Sequence, residues 1–187
     1  MHIRLLGAAA ALAFAAGAYA DLHEFSQAGT LKIDAGAAHS ATLHAVCSPD
    51  KNGALSIELI VLEANTRKDF DYDDFEGPDA AAGGKSLSHL AWTADSGTTE
   101  ITSAAAGWYA PEPPQSFMLG VSQRSLRAGA PARLLTAIGP ESGKLVWTQT
   151  GFDKATRKLV ATFEFDSAAA IRLRNAVAAC LPGGKPG

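Results

Sequence analysis

Only two of the 187 residues are cysteine, lysine and arginine nowhere cluster, and no apolar run reaches the roughly 20 residues that a bilayer span needs. The chain is therefore no disulfide-dense scaffold. It also lacks the basic footprint of a nucleic-acid or anionic-lipid binder, and nothing in it reads as a membrane-spanning helix. Motifs that carry chemistry are missing as well. There is no Gly-x-Ser-x-Gly, no phosphate-cradling glycine loop, no dinucleotide fingerprint and no Cys-x-x-Cys. Beyond the first 20 residues the histidines are His23, His39, His44 and His89, with no His-x-His or His-Glu-x-x-His spacing. His39 and His44 differ by an odd number and would face opposite sides of one strand. An enzyme is the least supported class.

At the N-terminus, Arg4 precedes an apolar run from Leu5 to Ala18, and Ala18-Tyr19-Ala20 stands just before Asp21. That is the charged start, apolar middle and small-x-small end of a signal peptide. Residues 1–20 are expected to be cleaved, which makes the protein periplasmic or secreted. An uncleaved anchor would leave the small residues without a role. Removing the leader, with Arg4, leaves 167 residues and moves the net charge from −3 to −4. One soluble domain over 21–182 is expected, with 183–187 a disordered tail, as a monomer or weak oligomer.

In an oxidising compartment the two cysteines favour a Cys47–Cys180 bridge, with free thiols or a metal pair as alternatives. The pattern around Cys47 supports burial: Ala41, Leu43, Ala45 and Cys47 alternate with Thr42, His44 and Val46. A turn through Asn52-Gly53 then leads into a second strand with Leu55, Ile57, Leu59 and Val61 on one face, read as central. Leu31-Lys32-Ile33-Asp34 reads as a brief edge strand. Further short strands are expected at Leu87–Thr93, Thr98–Ser103, Ser116–Ser122, Ala132–Ile138, Lys144–Phe152 and Leu159–Phe165. The segment from Trp108 through Pro114 reads as a second long loop, since proline cannot donate in a ladder. At the C-terminus, Asp166 or Ser167 can cap a helix to about Ala179, with Ala170, Leu173, Val177, Cys180 and Leu181 on its apolar stripe. The fold class is mainly β: an antiparallel sandwich or partly open barrel with a C-terminal helix.

The most distinctive stretch runs from Asp69 to Asp79. Six of the nineteen carboxylates, Asp69, Asp71, Asp73, Asp74, Glu76 and Asp79, alternate there with Phe70, Tyr72 and Phe75. With Ala80-Ala81-Ala82-Gly83-Gly84 closing it as a flexible segment, it reads as a surface loop of about 20 residues, a length uncommon unless functional or disordered. Asp69, Asp71 and Asp73 have the spacing of a calcium loop. The sixth position, normally Gly, is Asp74, however, and the twelfth, normally Glu, is Ala80, so the motif is incomplete. In a protein-binding reading the carboxylates orient a basic partner and the rings meet it, as in an inhibitor or immunity-like loop acting on a toxin or cell-wall hydrolase. In the plainer reading the rings pin the loop to the sheet and leave only its acids outside. Trp92 and Trp147 fall within strands and read as core, whereas Trp108 with Tyr109 is a second binding candidate. Binding to a basic envelope protein is the expected function, and a calcium- or small-molecule-binding domain is the alternative. No bound cofactor or structural metal is expected.

Overall fold

The computed structural model describes residues 23–64, 69–110, 116–124, 128–153 and 157–184. The expected leader lies outside the described residues, as do the last three residues of the expected tail. Among the described residues, nine strands form one sheet: β1 (His23–Ile33), β2 (His39–Ser48), β3 (Ala54–Val61), β4 (Ser88–Ala94), β5 (Gly97–Ser103), β6 (Ala106–Tyr109), β7 (Phe117–Gln123), β8 (Gly143–Thr150) and β9 (Lys158–Phe165). Their order is β5-β4-β8-β9-β1-β2-β3-β7-β6, and the paired neighbours are antiparallel. The sheet curls into a half-barrel, the partly open barrel of the two expected architectures. Helix α1 (Ala130–Ala137) touches both of its ends, β4 and β5 on one side and β3 and β7 on the other. Helix α2 (Ser167–Val177) lies over β1, β2 and β9.

Alternation is what aims the core into this trough. Ala41, Leu43, Ala45 and Cys47 of β2 are buried, as are Leu55, Ile57, Leu59 and Val61 of β3 and Leu159, Ala161, Phe163 and Phe165 of β9. Trp92 and Trp147 are buried in the same layer, as their strand positions imply. The β2–β3 hairpin turns through Asn52 and Gly53, at φ of 57° and 72°, a left-handed region that asparagine and glycine tolerate best. Its register places Ser48 opposite Ala54 and His44 opposite Glu58.

Three sequence expectations are corrected. Leu31–Ile33 is no edge. It is the end of an 11-residue strand between β9 and β2, and only Thr30–Ile33 pairs with β9. Where β1 and β9 diverge, Gln27 Nε2 donates to the Glu164 carbonyl at 3.1 Å, so a side chain replaces the ladder that would have marked a central strand. Ala132–Ile138 is not a strand but most of α1. Pro131 suits the first turn of a helix, and Ala132 with Leu135, and Leu134 with Ile138, sit at helical spacing and are buried. Gly129 offers no capping side chain. Gln123 Oε1 instead accepts from Gly129 N at 2.9 Å and Ala132 N at 3.2 Å, a cap supplied by β7. The expected Trp108 loop begins as strand β6; residues 111–115 lie outside the described set.

Helix α2 begins as expected. Asp166 Oδ1 accepts from Ala169 N at 2.6 Å, and Ala170, Leu173 and Val177 are buried beneath the helix. A short 3-10 turn, Ala178–Cys180, brings Cys180 to Cys47 with Cα atoms 5.8 Å apart. The two form the disulfide, so neither thiol is free.

Candidate functional site

The acidic segment is held down by its own aromatics. Phe70, Tyr72 and Phe75 are all at most 2% exposed, and Tyr72–Phe75 forms a 3-10 turn. Phe70 packs on Tyr72 and Phe75, while Tyr72 meets Phe117 of β7 at a centroid distance of 5.2 Å. Burying one such ring is worth roughly 2 to 3 kcal/mol, enough to order a short segment against its chain entropy. The closing residues are ordered too. Ala82 is buried and donates to the Asp74 carbonyl at 2.8 Å, which corrects the expectation of a flexible Ala-Gly run. The reading in which the rings themselves meet a partner therefore fails, because none of the three is available. Asp69, Asp71, Asp73, Glu76 and Asp79 are exposed and Asp74 is half-buried.

Both binding candidates meet along β6. Glu76 bridges Gly107 in parallel, Gly77 N donates to the Gly107 carbonyl at 2.9 Å, and Tyr109 Oη donates to Asp73 Oδ1 at 2.8 Å. Tyr109 also packs edge-on against Phe117. Burial, then the hydrogen bond to Asp73, then the negative charge of Asp73 and Glu76 push ionisation of Tyr109 well above the usual tyrosine range. The phenol stays neutral and remains a donor. Beside it, Trp108 points the opposite way and is 40% exposed.

On the outer face, Trp108 adjoins a polar group that the sequence did not reveal. A Cβ on Gly120 would stand 3.3 Å from Trp108 Cη2 and 3.7 Å from Glu58 Cγ, so the missing side chain is what lets the indole lie across the sheet towards Glu58. Glu58 is 8% exposed, accepts from Ser56 Oγ at 2.8 Å and lies 3.1 Å from His44 Nδ1. His44 Nε2 lies 3.5 Å from Glu24 Oε2. His44 thus has a carboxylate beside each ring nitrogen, Glu58 on one side and Glu24 on the other. Counted outward from Asn52-Gly53, His44 would face Val61; the chain instead reverses through the five residues 49–53, which sets Ser48 opposite Ala54 and His44 opposite Glu58. Glu24 and Gly120 had no sequence signal.

Among the described residues, no three His, Cys, Asp or Glu side chains converge as a metal-binding group. His89 is paired with Glu100 at 3.4 Å on the exposed β4–β5 side, away from His44. What the arrangement offers chemically is a held set of exposed carboxylates on the Tyr109 side of β6 and an exposed indole on the other. No protein-family model matches the chain, and no curated protein or solved structure is detectably similar to it.

Proposed function

We propose that the protein is an exported binding protein that engages a basic protein of the cell envelope through Asp69, Asp71, Asp73, Glu76 and Asp79, with Trp108 as an aromatic anchor. The observation that carries this reading is the burial of Phe70, Tyr72 and Phe75 beneath exposed carboxylates. A segment already ordered loses little further entropy on binding, so its charges can act as a preformed surface. Such a surface steers a cationic partner and sets its orientation, and an exposed indole is a residue type that concentrates binding energy. An inhibitor or immunity-like role fits this chemistry. The test is capture from an envelope extract with residues 21–187 as bait, compared with an Asp69→Asn/Glu76→Gln/Asp79→Asn variant that leaves the Asp73–Tyr109 bond in place. The expected result is loss of the captured protein with the variant and weaker capture at high salt. Equal capture by both baits would overturn the reading.

A further inference from the structure

A groove of about 350 Å³ opens at the other end of β7, lined among others by Val46, Ser48, Lys51, Ala54, Ser122 and Arg124. We infer that it binds a small oxyanion, a carboxylate or phosphate carried on a short apolar body. The volume falls within the range of small-molecule sites. The lining divides in two. Val46 and Ala54 are half-buried on neighbouring strands, with Ala54 directly after the hairpin turn and Val46 two pairs further along the ladder, and supply an apolar floor. Lys51 and Arg124 supply two exposed cations, and among the described residues neither forms an ion pair. In a chain of net charge −3, two unpaired cations beside one groove are a local reversal of sign. Arginine offers a planar fork to an oxyanion and lysine a mobile point charge.

The serines refine the ligand class. Ser56 already donates its hydroxyl to Glu58 Oε1, so it cannot donate to an anion. Ser48 and Ser122 have hydroxyls with no bond among the described residues and can do so. A cationic or polyhydroxylated ligand would leave Lys51 and Arg124 uncompensated, whereas an amphiphilic anion uses both halves. The support is rigid, since Cys47, next to Ser48 and opposite Leu55 in the ladder, is tied to Cys180.

Calorimetric titration of residues 21–187 with hexanoate, hexyl phosphate and hexylammonium tests this. One molecule of hexanoate or hexyl phosphate should bind per chain, and the tighter of the two identifies the headgroup. Hexylammonium should not bind. A Lys51→Met/Arg124→Met variant should weaken the anion roughly tenfold or more, as expected for losing charge-assisted hydrogen bonds. Both residues are exposed, so an unchanged melting temperature confirms that the variant is folded. Equal binding of hexylammonium, no anion binding up to the millimolar range, or an unchanged affinity in the folded variant would each overturn the proposal. Capture of a basic protein by the acidic segment is read separately and should survive this variant.

Discussion

Tyr109 makes the attachment of the acidic segment sensitive to pH. In the unfolded chain its phenol ionises near pH 10, while in the fold burial and the carboxylates of Asp73 and Glu76 hold that ionisation higher. The neutral phenol's contribution is therefore present in full below about pH 10 and is lost as pH climbs towards the raised folded value. Tyr109→Phe should cost no more than about 1 kcal/mol at neutral pH, because the bond is solvent-exposed. It should also remove part of the alkaline loss of stability, which urea unfolding at neutral pH and above pH 10 would detect. Gly120 offers a second residue-scale test. Gly120→Val places methyl groups where the Trp108 indole lies and should lift the ring into solvent. Trp92 and Trp147 are 1% and 0% exposed, so quenching of tryptophan fluorescence by iodide would report Trp108 almost alone and should increase in the variant.

At the level of elements, the acidic segment is one more layer on the β6–β7 end of the sheet. Phe75→Ala, in a side chain 1% exposed, should cost about 3 to 5 kcal/mol by urea unfolding. Limited proteolysis should cut within residues 69–84 before global unfolding; resistance equal to the parent would mean that the ring does not hold the segment. What was legible here depended on period. Strands with one buried face, such as β2 and β9, announced themselves by strict alternation, and α2 did so by an N-cap and an apolar stripe. Helix α1 reads as a strand in sequence because it is eight residues long and takes its cap from Gln123 on another element, which no local pattern can display. Burial of Phe70, Tyr72 and Phe75 was undecided for a related reason. A surface loop and a pinned loop share one composition, and only the position of Phe117 tells them apart.

Across the whole molecule the topology joins the ends of the chain. Strand β1 pairs with β9, and the disulfide links Cys47 to Cys180 across 133 residues. The two halves of the sheet cannot join until β9, near the C-terminus, pairs with both β8 and β1, so contacts are long-range and folding should be slow for the chain's size. A covalent link across such a loop removes much of the unfolded chain's freedom, worth roughly 5 kcal/mol in the chain-entropy model. The Cys47→Ala/Cys180→Ala variant should lose stability of that order by urea unfolding. Hydrogen exchange should show where the loss begins. Cys180 anchors the end of α2 and Cys47 the β2–β3 hairpin, so protection should fall first at Leu173–Cys180 and Val46–Leu55. Phe117–Val121, on which the acidic segment rests, should keep its protection longer. A uniform loss would instead mean that the bridge acts only on the unfolded state. The proposed difference between the two ends matters for both binding surfaces: β7 runs about 20 Å from Phe117 beneath the acids to Gln123 beside the cationic groove. Reduction should therefore weaken anion binding at Lys51 and Arg124 while leaving capture of a basic partner at the acidic end intact.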